Sequence, residues 1–357
     1  TAIPLRLVGS EMCIRDRFVM INRQWLLASR PEGSIEDTNF SYKECEVPNR
    51  ELKPNEILVK NLLFLCAPTM RNWMSPPGNS LYPSIPLGSP IMAPAIAVVI
   101  ESGSAEYAPG DRVSTRAGWQ DYEILSTDLV PVGKIPDEMT SVDAMGKFGL
   151  NSLTGYFGML EVGQPKENDV VVVSGAAGAT GSVAAQIARI KGCRVIGIAG
   201  GDQKCRWLTE ECQLDAAVNY KNATVEEELR QLCPDGINVY YDNVGGDILQ
   251  AAIENMAVKG RIVLCGQISS YNDDKPSEGP RNMMRLIYGS ITMQGFLTRN
   301  YTDNFPSAIS NLKTWYEQGK VLFKEDVREG FENLPLFYRA LFDGSNDGVL
   351  LVQINSD

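Results

Sequence analysis

A chain of 357 residues with 44 acidic and 33 basic side chains carries a formal charge of −11 and contains no histidine. Without an imidazole there is no Ser-His-Asp triad, no HExxH zinc site and no histidine general base, and a catalytic zinc would rest on Cys and carboxylates alone. The acidic balance argues against a non-specific nucleic-acid binder, no run approaches the ~18 apolar residues of a membrane span, and at about 150 residues per domain the length predicts two domains.

The chain opens on Thr1, and residues 7–17, LVGSEMCIRDR, read as a translated sequencing adapter. A targeting peptide would need an apolar core and a cleavage site, and neither is present. Residues 1–19 are therefore expected to be a non-native extension, with the natural start at Met20.

From 21 to about 147 short apolar runs alternate with turn residues. EILVKNLLFL (56–65), PAIAVVIESG (94–103), DRVST (111–115) and DYEIL (121–125) read as strands, with APGDRV (108–113) as a turn feeding one of them. SPPGNSLYPSIPLGSP (75–90), with five prolines and two glycines, reads as a long irregular loop. Such loops in compact domains are often functional.

Near residue 148 the rhythm changes. DVVVVSG (169–175), CRVIGIAG (193–200), AAVNY (216–220), VYYDNVG (239–245) and RIVLCG (261–266) read as strands. The helix-like SVAAQIARIKG (182–192), QKCRWLTEEC (203–212), TVEEELRQLC (224–233) and DILQAAIENM (247–256) lie between them. Strands alternating with helices in this way predict a doubly wound parallel sheet. In MMRLIYG (283–289) the Met and aromatic spacing predicts core or a subunit contact. Past 321 a helical LPLFYRALFDG (334–344) and a strand-like DGVLLVQI (347–354) close the chain. The expected architecture is a nucleotide-binding unit, 148–321, inserted in a β-rich domain of residues 20–147 plus 322–357.

VVVSGAAGATGSVAAQIA (171–188) is a strand, a glycine-rich turn and a helix in sequence. Aligned as AxGxxG, it places Ala176, Gly178 and Gly181 at the three motif positions. Gly178 lets the backbone approach a pyrophosphate, whose charge meets open N–H groups at the helix start. Gly181 permits close packing of helix on strand. The next strand ends in Gly200-Gly201 rather than in the carboxylate that binds an NAD ribose. Asp202 just beyond keeps NAD open, but Lys204 and Arg206 favour NADP, whose 2′-phosphate needs cations. Eight cysteines with no CxxC pair predict a reduced, cytoplasmic protein, and none has a neighbouring base that would make it a nucleophile.

These residues resemble the zinc-free medium-chain dehydrogenase/reductases, within them the NADPH-dependent alkenal and prostaglandin reductases. The resemblance runs from Met20 to the C-terminus through NRQWLLASRPEG (22–33), PTMRNWM (68–74), GWQDY (118–122), GLNSLTGYFGML (149–160), GAAGATGSV (175–183), YDNVGG (241–246), CGQISSYN (265–272) and DGSNDGVLLVQI (343–354). It implies an α/β fold, a Rossmann domain inserted in a GroES-like catalytic domain, with NADP(H) bound between the two. Carried over by position, Ala179, Thr180, Gly181 and Ser182 match the pyrophosphate turn, and Lys204 and Tyr220 the 2′-phosphate site. Asn243 matches a polar cofactor contact, Cys265, Gly266, Gln267, Ile268, Ser269, Ser270 and Tyr271 the loop along ribose and nicotinamide. Thr154 falls beside the nicotinamide, followed by Phe296 and Leu297 and, near the C-terminus, Asn346. The chain departs from the family at Ala67, at Met92–Ala95, at Gly201 and at Val349.

The implied reaction is reduction of the C=C bond of an α,β-unsaturated aldehyde or ketone. Hydride from NADPH goes to Cβ and a proton to Cα, while donors hold the enolate oxygen. Tyr271 is the candidate donor, with the ribose 2′-OH or a water as alternatives. Tyr82 and Trp119 are candidate substrate-pocket residues, and no metal is expected. A small-molecule substrate and a homodimer are the implied partners, with no nucleic acid or membrane. A quinone reductase of the same fold and a non-catalytic dinucleotide-binding protein are the rival readings. A zinc alcohol dehydrogenase lacks its Cys-His-Cys set here.

Overall fold

The computed structural model describes residues 20–78, 84–273 and 279–356. The extension 1–19 and the candidate pocket residue Tyr82 lie outside the described residues.

The nucleotide-binding half is a six-stranded parallel sheet in the order Ala216–Asn219, Arg194–Ala199, Val170–Ser174, Ile237–Asp242, Met256–Leu264, Thr292–Gly295. Its central strand Val170–Ser174 reads as an apolar run because both faces of the sheet are covered there. Val171 and Val173 enter one core and Val172 the opposite one. The helix Ala179–Ile190 buries Val183 and Ile187 against the sheet, with Ile190 half-buried. From Val170–Ser174 successive strands run first to one side and then, from Ile237–Asp242 onward, to the other. The order therefore reverses between those two neighbours, and a crevice at the carboxyl ends of such a pair is where this fold takes its ligands.

The β-rich half is a seven-stranded sheet. Along it lie Glu325–Glu329, Val349–Gln353, Glu56–Leu65, Met92–Ser102, Arg112–Gly118 and Gly133–Lys134, while Tyr122–Ser126 also pairs with Glu56–Leu65. Val349–Gln353 is antiparallel to Glu56–Leu65, so the end of the chain closes against its first half. Gln186 joins the two halves, its amide bonding Leu322 O at 2.9 Å and accepting from Leu322 N at 2.8 Å. The described parts of the Pro-rich loop hold neither helix nor strand, and Arg30 ties both ends by donating to Met74 O, Ser75 O and Ile85 O.

Several elements differ from the sequence reading. The 203–212 helix is α-helical only over Asp202–Arg206 and widens to π geometry over Trp207–Glu211. The 247–256 helix stops at Glu254, because Met256 already begins a strand pairing with Ile237. The hairpin Ile21–Leu27 with Phe40–Glu46 and the strands Thr292–Gly295 and Glu325–Glu329 were not among the expected elements; their polar, half-exposed residues give no apolar run to detect. MMRLIYG is helical over Met283–Gly289, but Met283, Met284, Ile287 and Tyr288 are exposed, so it is not core within this chain.

Candidate active site

The glycine turn sits where the strand Val170–Ser174 meets the helix Ala179–Ile190. Gly175 has φ +58°, a left-handed conformation that glycine enters without a Cβ penalty. A Cβ on Gly181 would run into the Gly175 carbonyl, and one on Gly178 would lie 3.2 Å from it. Gly178 is also the N-cap and offers no side-chain cap, so the first N–H groups of this twelve-residue helix stay available to an anion. This cradle, closed to side chains and open to an anion, fits a dinucleotide pyrophosphate. Ala179, Thr180, Gly181 and Ser182 form the first turn of that helix.

A cavity of about 240 Å³ opens beside the turn, lined by Ala177, Lys204, Trp207, Lys324 and the loop Gly344–Asp347. Lys204 Nζ donates to Gly344 O at 3.0 Å and to Asn346 O at 3.2 Å. The structure thus joins two expected cofactor residues, Lys204 and Asn346, that lie far apart in sequence. Burial, with Lys221 and Lys324 as like charges, holds the Lys204 ammonium below its ordinary pKa. Lys324 pairs with Asp347 at 2.7 Å and stands 5.4 Å from the centre of the Trp207 ring. Tyr220 is half-exposed and lies against Gly200, where a Cβ would come within 2.8 Å of its hydroxyl. Asp202, the residue that kept NAD open, is held by Asn219 Nδ2 at 2.6 Å.

A second cavity of about 570 Å³ is lined by Asp242, Gly245, Cys265, Gly266, Gln267 and Tyr271, with Arg281 and Met293 among its other walls. The 265–271 loop is fixed to the strand end beside it. Ile268 N–H and Ser269 N–H donate to the carbonyls of Asn243 and Val244, and Ser269 Oγ donates to Val244 O at 2.6 Å. Gln267 Nε2 donates to Ser270 Oγ at 2.8 Å. Tyr271 Oη accepts from Gln267 N–H at 3.3 Å, which sets the phenol on the cavity wall. Asn243 Nδ2 donates to Ser174 O at 2.7 Å, joining the loop's anchor to the strand before the glycine turn.

Thr154 lies beside the segment that carries Phe296 and Leu297. The hydroxyls of Thr154 and Thr298 lie 2.6 Å apart, and the Phe296 ring fills the space that a side chain at Gly158 would need. Tyr241 Oη donates to Thr154 O at 3.0 Å. Burial pushes the Cys265 thiol up to about 12, only partly offset by the Tyr241 hydroxyl beside it. Cys66 and Cys212 are also raised to about 12 by burial. Protonated thiols of this kind are inert as nucleophiles.

Trp119 needs a correction. It is 0% exposed and packs against Phe40 and Tyr338, 5.9 and 5.8 Å away by ring centres, inside the β-rich core. Its strand end turns the indole inward, so it does not face a pocket. Its neighbour Asp121 forms a two-pronged pair with Arg23, both contacts 2.8 Å. Sequence reasoning also passed over Asp242, Ser174, Thr298 and Lys324. For Asp242 a signal existed, a carboxylate inside an otherwise apolar strand.

Two family models match the chain, one described as an N-terminal domain of oxidoreductase over residues 23–131 and one as a zinc-binding dehydrogenase over residues 179–314. The chain has no histidine, and among the described residues no group of three or more Cys, Asp or Glu is placed to hold a metal ion. It is 35% identical over 339 residues to the 2-alkenal reductase (NADP(+)-dependent) of Nicotiana tabacum, covering 94% of this chain and 98% of that protein. It is 34% identical over 336 residues to prostaglandin reductase 1 of Bos taurus, covering 93% and 98%. The crystal structure of CurA in complex with NADPH from Vibrio vulnificus superposes with a TM-score of 0.86 at 35% identity, over 94% of this chain and 100% of that one.

Proposed function

This chain belongs to the zinc-free medium-chain dehydrogenase/reductases, within them to the NADPH-dependent alkenal and prostaglandin reductases, and is an NADP-dependent oxidoreductase; we propose that it reduces the C=C bond of α,β-unsaturated aldehydes and ketones. The observation that carries this reading is the Tyr271 phenol on the wall of the larger cavity, in a loop anchored to the strand end at the point where the sheet order reverses.

When bound, NADPH supplies the hydride that the β carbon of the substrate accepts. The residues of this chain hold the pieces in place. The Gly178–Ser182 turn offers backbone N–H groups to the pyrophosphate. Lys204 and Tyr220 take the 2′-phosphate. Asn243, Gly266, Ile268, Ser270, Leu297 and Asn346 line the remaining length of the cofactor, while Thr154 and Phe296 back the nicotinamide. As charge develops on the substrate's carbonyl oxygen, the Tyr271 hydroxyl donates to it and lowers the barrier. The conjugated carbonyl is itself the electron sink, so the step asks for no imidazole.

The decisive experiment follows loss of NADPH absorbance across a panel of small enals, enones and quinones, with NADH as control. Turnover of enals and enones is expected. Turnover confined to quinones, or none with any acceptor, would overturn the reading.

Residues 20–147 with 322–357 form the catalytic domain in this reading, and 148–321 the cofactor domain. The exposed Met283, Met284, Ile287 and Tyr288, beside the edge strand Thr292–Gly295, favour a homodimer through this face; sedimentation as a monomer at micromolar concentration would reject it. The seven described cysteines are all unbridged, which favours the cytoplasm. No helix among the described residues is long and apolar enough to cross a membrane.

A further inference from the structure

We propose that Asp242 is a positioning residue for the dinucleotide: its buried carboxylate locks the glycine-turn strand, the 243–246 turn and the 265–271 loop into one geometry. The inference rests on the reading of these segments as the cofactor site. Asp242 ends the strand Ile237–Asp242, directly beside Ser174 at the end of the neighbouring strand. The order of the sheet reverses between these two strands.

The side chain is 1% exposed and accepts from four donors. Oδ1 takes Ser174 Oγ–H and Tyr240 Oη–H, both at 2.9 Å, and the N–H groups of Val244 and Gly245, both at 3.1 Å. Gly245 N–H also reaches Oδ2 at 3.1 Å. An ionised carboxylate accepts on both oxygens and donates nothing, and no other side chain of this length does so.

From this hub two paths lead to the cofactor residues. Ser174 Oγ, while donating to Asp242, accepts Asn243 N–H at 2.9 Å, and it precedes Gly175, the first residue of the glycine turn. The 243–245 turn, shaped by the carboxylate, presents the Asn243 and Val244 carbonyls that receive the loop carrying Tyr271. The backbone of Asp242 adds a third link, its carbonyl accepting from Cys265 N–H and Gly266 N–H at 2.9 and 3.1 Å.

Burial raises the Asp242 carboxyl above its ordinary range despite these donors. A folded-state pKa above the unfolded value means that the ionised form weighs against the fold near neutral pH, so a neutral isostere relieves the fold. A merely structural group would be best replaced by something less costly. Positioning and structural roles therefore move affinity and stability differently.

The test measures NADPH dissociation constants by nicotinamide fluorescence, and cofactor-free Tm, for the wild type, Asp242→Asn and Ser174→Ala. An amide at 242 keeps the shape but sets N–H against the Gly245 N–H. Asp242→Asn is expected to weaken NADPH by about tenfold or more, with Tm unchanged or raised. Ser174→Ala, which keeps the carboxylate but cuts its path to Asn243, is expected to weaken it severalfold. NADPH affinity within about twofold of wild type in Asp242→Asn, or affinity and Tm lost together, would overturn the proposal. Should that variant fail to fold, Ser174→Ala decides alone, and wild-type affinity there overturns it. A wild type that fails to bind NADPH overturns the cofactor reading itself, and this proposal with it.

Discussion

At the scale of single residues, the site depends on where a few polar atoms are held. Tyr271 owes its place to a backbone N–H four residues earlier, and its loop owes its place to the Asn243 and Val244 carbonyls. Tyr271→Phe is expected to lower kcat for enone reduction severalfold or more with little change in NADPH affinity; an unchanged kcat rejects the donor role. Lys204 is the charge on which NADPH selectivity is expected to rest. Charged hydrogen bonds contribute roughly 1.5–3 kcal/mol, so Lys204→Ala is expected to weaken NADPH by about tenfold or more and leave NADH nearly unchanged. Equal losses for both cofactors in parallel binding titrations would show that the lysine only braces the Gly344–Asn346 loop. The motifs in the sequence singled out Tyr271, Lys204 and Asn243 as candidates, and the mutations above test the roles of the first two. Trp119 was misread because an aromatic beside a polar turn looks the same in sequence whether its ring packs inward or faces a pocket.

At the scale of elements, the glycine turn is the clearest case of sequence dictating geometry. Its strand, positive-φ glycine and uncapped helix start all follow from residues 170–182. Close approach of helix and strand needs a residue without Cβ at 181, because any side chain there meets the Gly175 carbonyl. Gly181→Val is therefore expected to lower Tm by several degrees and to abolish detectable NADPH binding; a variant that binds like wild type would refute the cradle. Helices with regular apolar spacing were also legible, whereas their widenings were not. The π segments at Gly158–Gly163 and Trp207–Glu211 depend on what packs against them, such as Phe296 and Tyr241 at Gly158, and local sequence carries no record of that.

At the scale of the whole molecule, the missing histidine has a direct consequence. No side chain of ordinary pKa changes charge between about pH 5 and 8. Among the described residues Glu123, Asp242 and Glu325 are pushed upward, each mainly by burial. Raised carboxyl values mean that the fold prefers the protonated forms, so mild acidification through them adds stability. Asp111 and Asp343 are held low, chiefly by hydrogen bonds from Lys134 and Ser345. Asp326 is lowered as well, its burial outweighed by bonds from Arg328 and the Asp347 N–H. Their contributions are present above the unfolded carboxyl range and are lost as pH falls from there through their lowered folded-state values. Tm is accordingly expected to hold or rise from pH 7 to 5 and to fall below about pH 4; a steady decline from pH 7 in a calorimetric series would contradict this balance.

The sequence by itself determined the alternation of strands and helices, the glycine turn and the absence of imidazole chemistry. These depend on neighbours along the chain, through apolar periodicity, backbone freedom and residue type. Only the tertiary structure decided which distant groups share a site. Ser174 meets Asp242 because the sheet order reverses between their strands, and Lys204 meets Asn346 because the C-terminal strand returns to the β-rich sheet. Contacts of that kind are set by how sheets close and what they bury, so they exist only once the chain has folded.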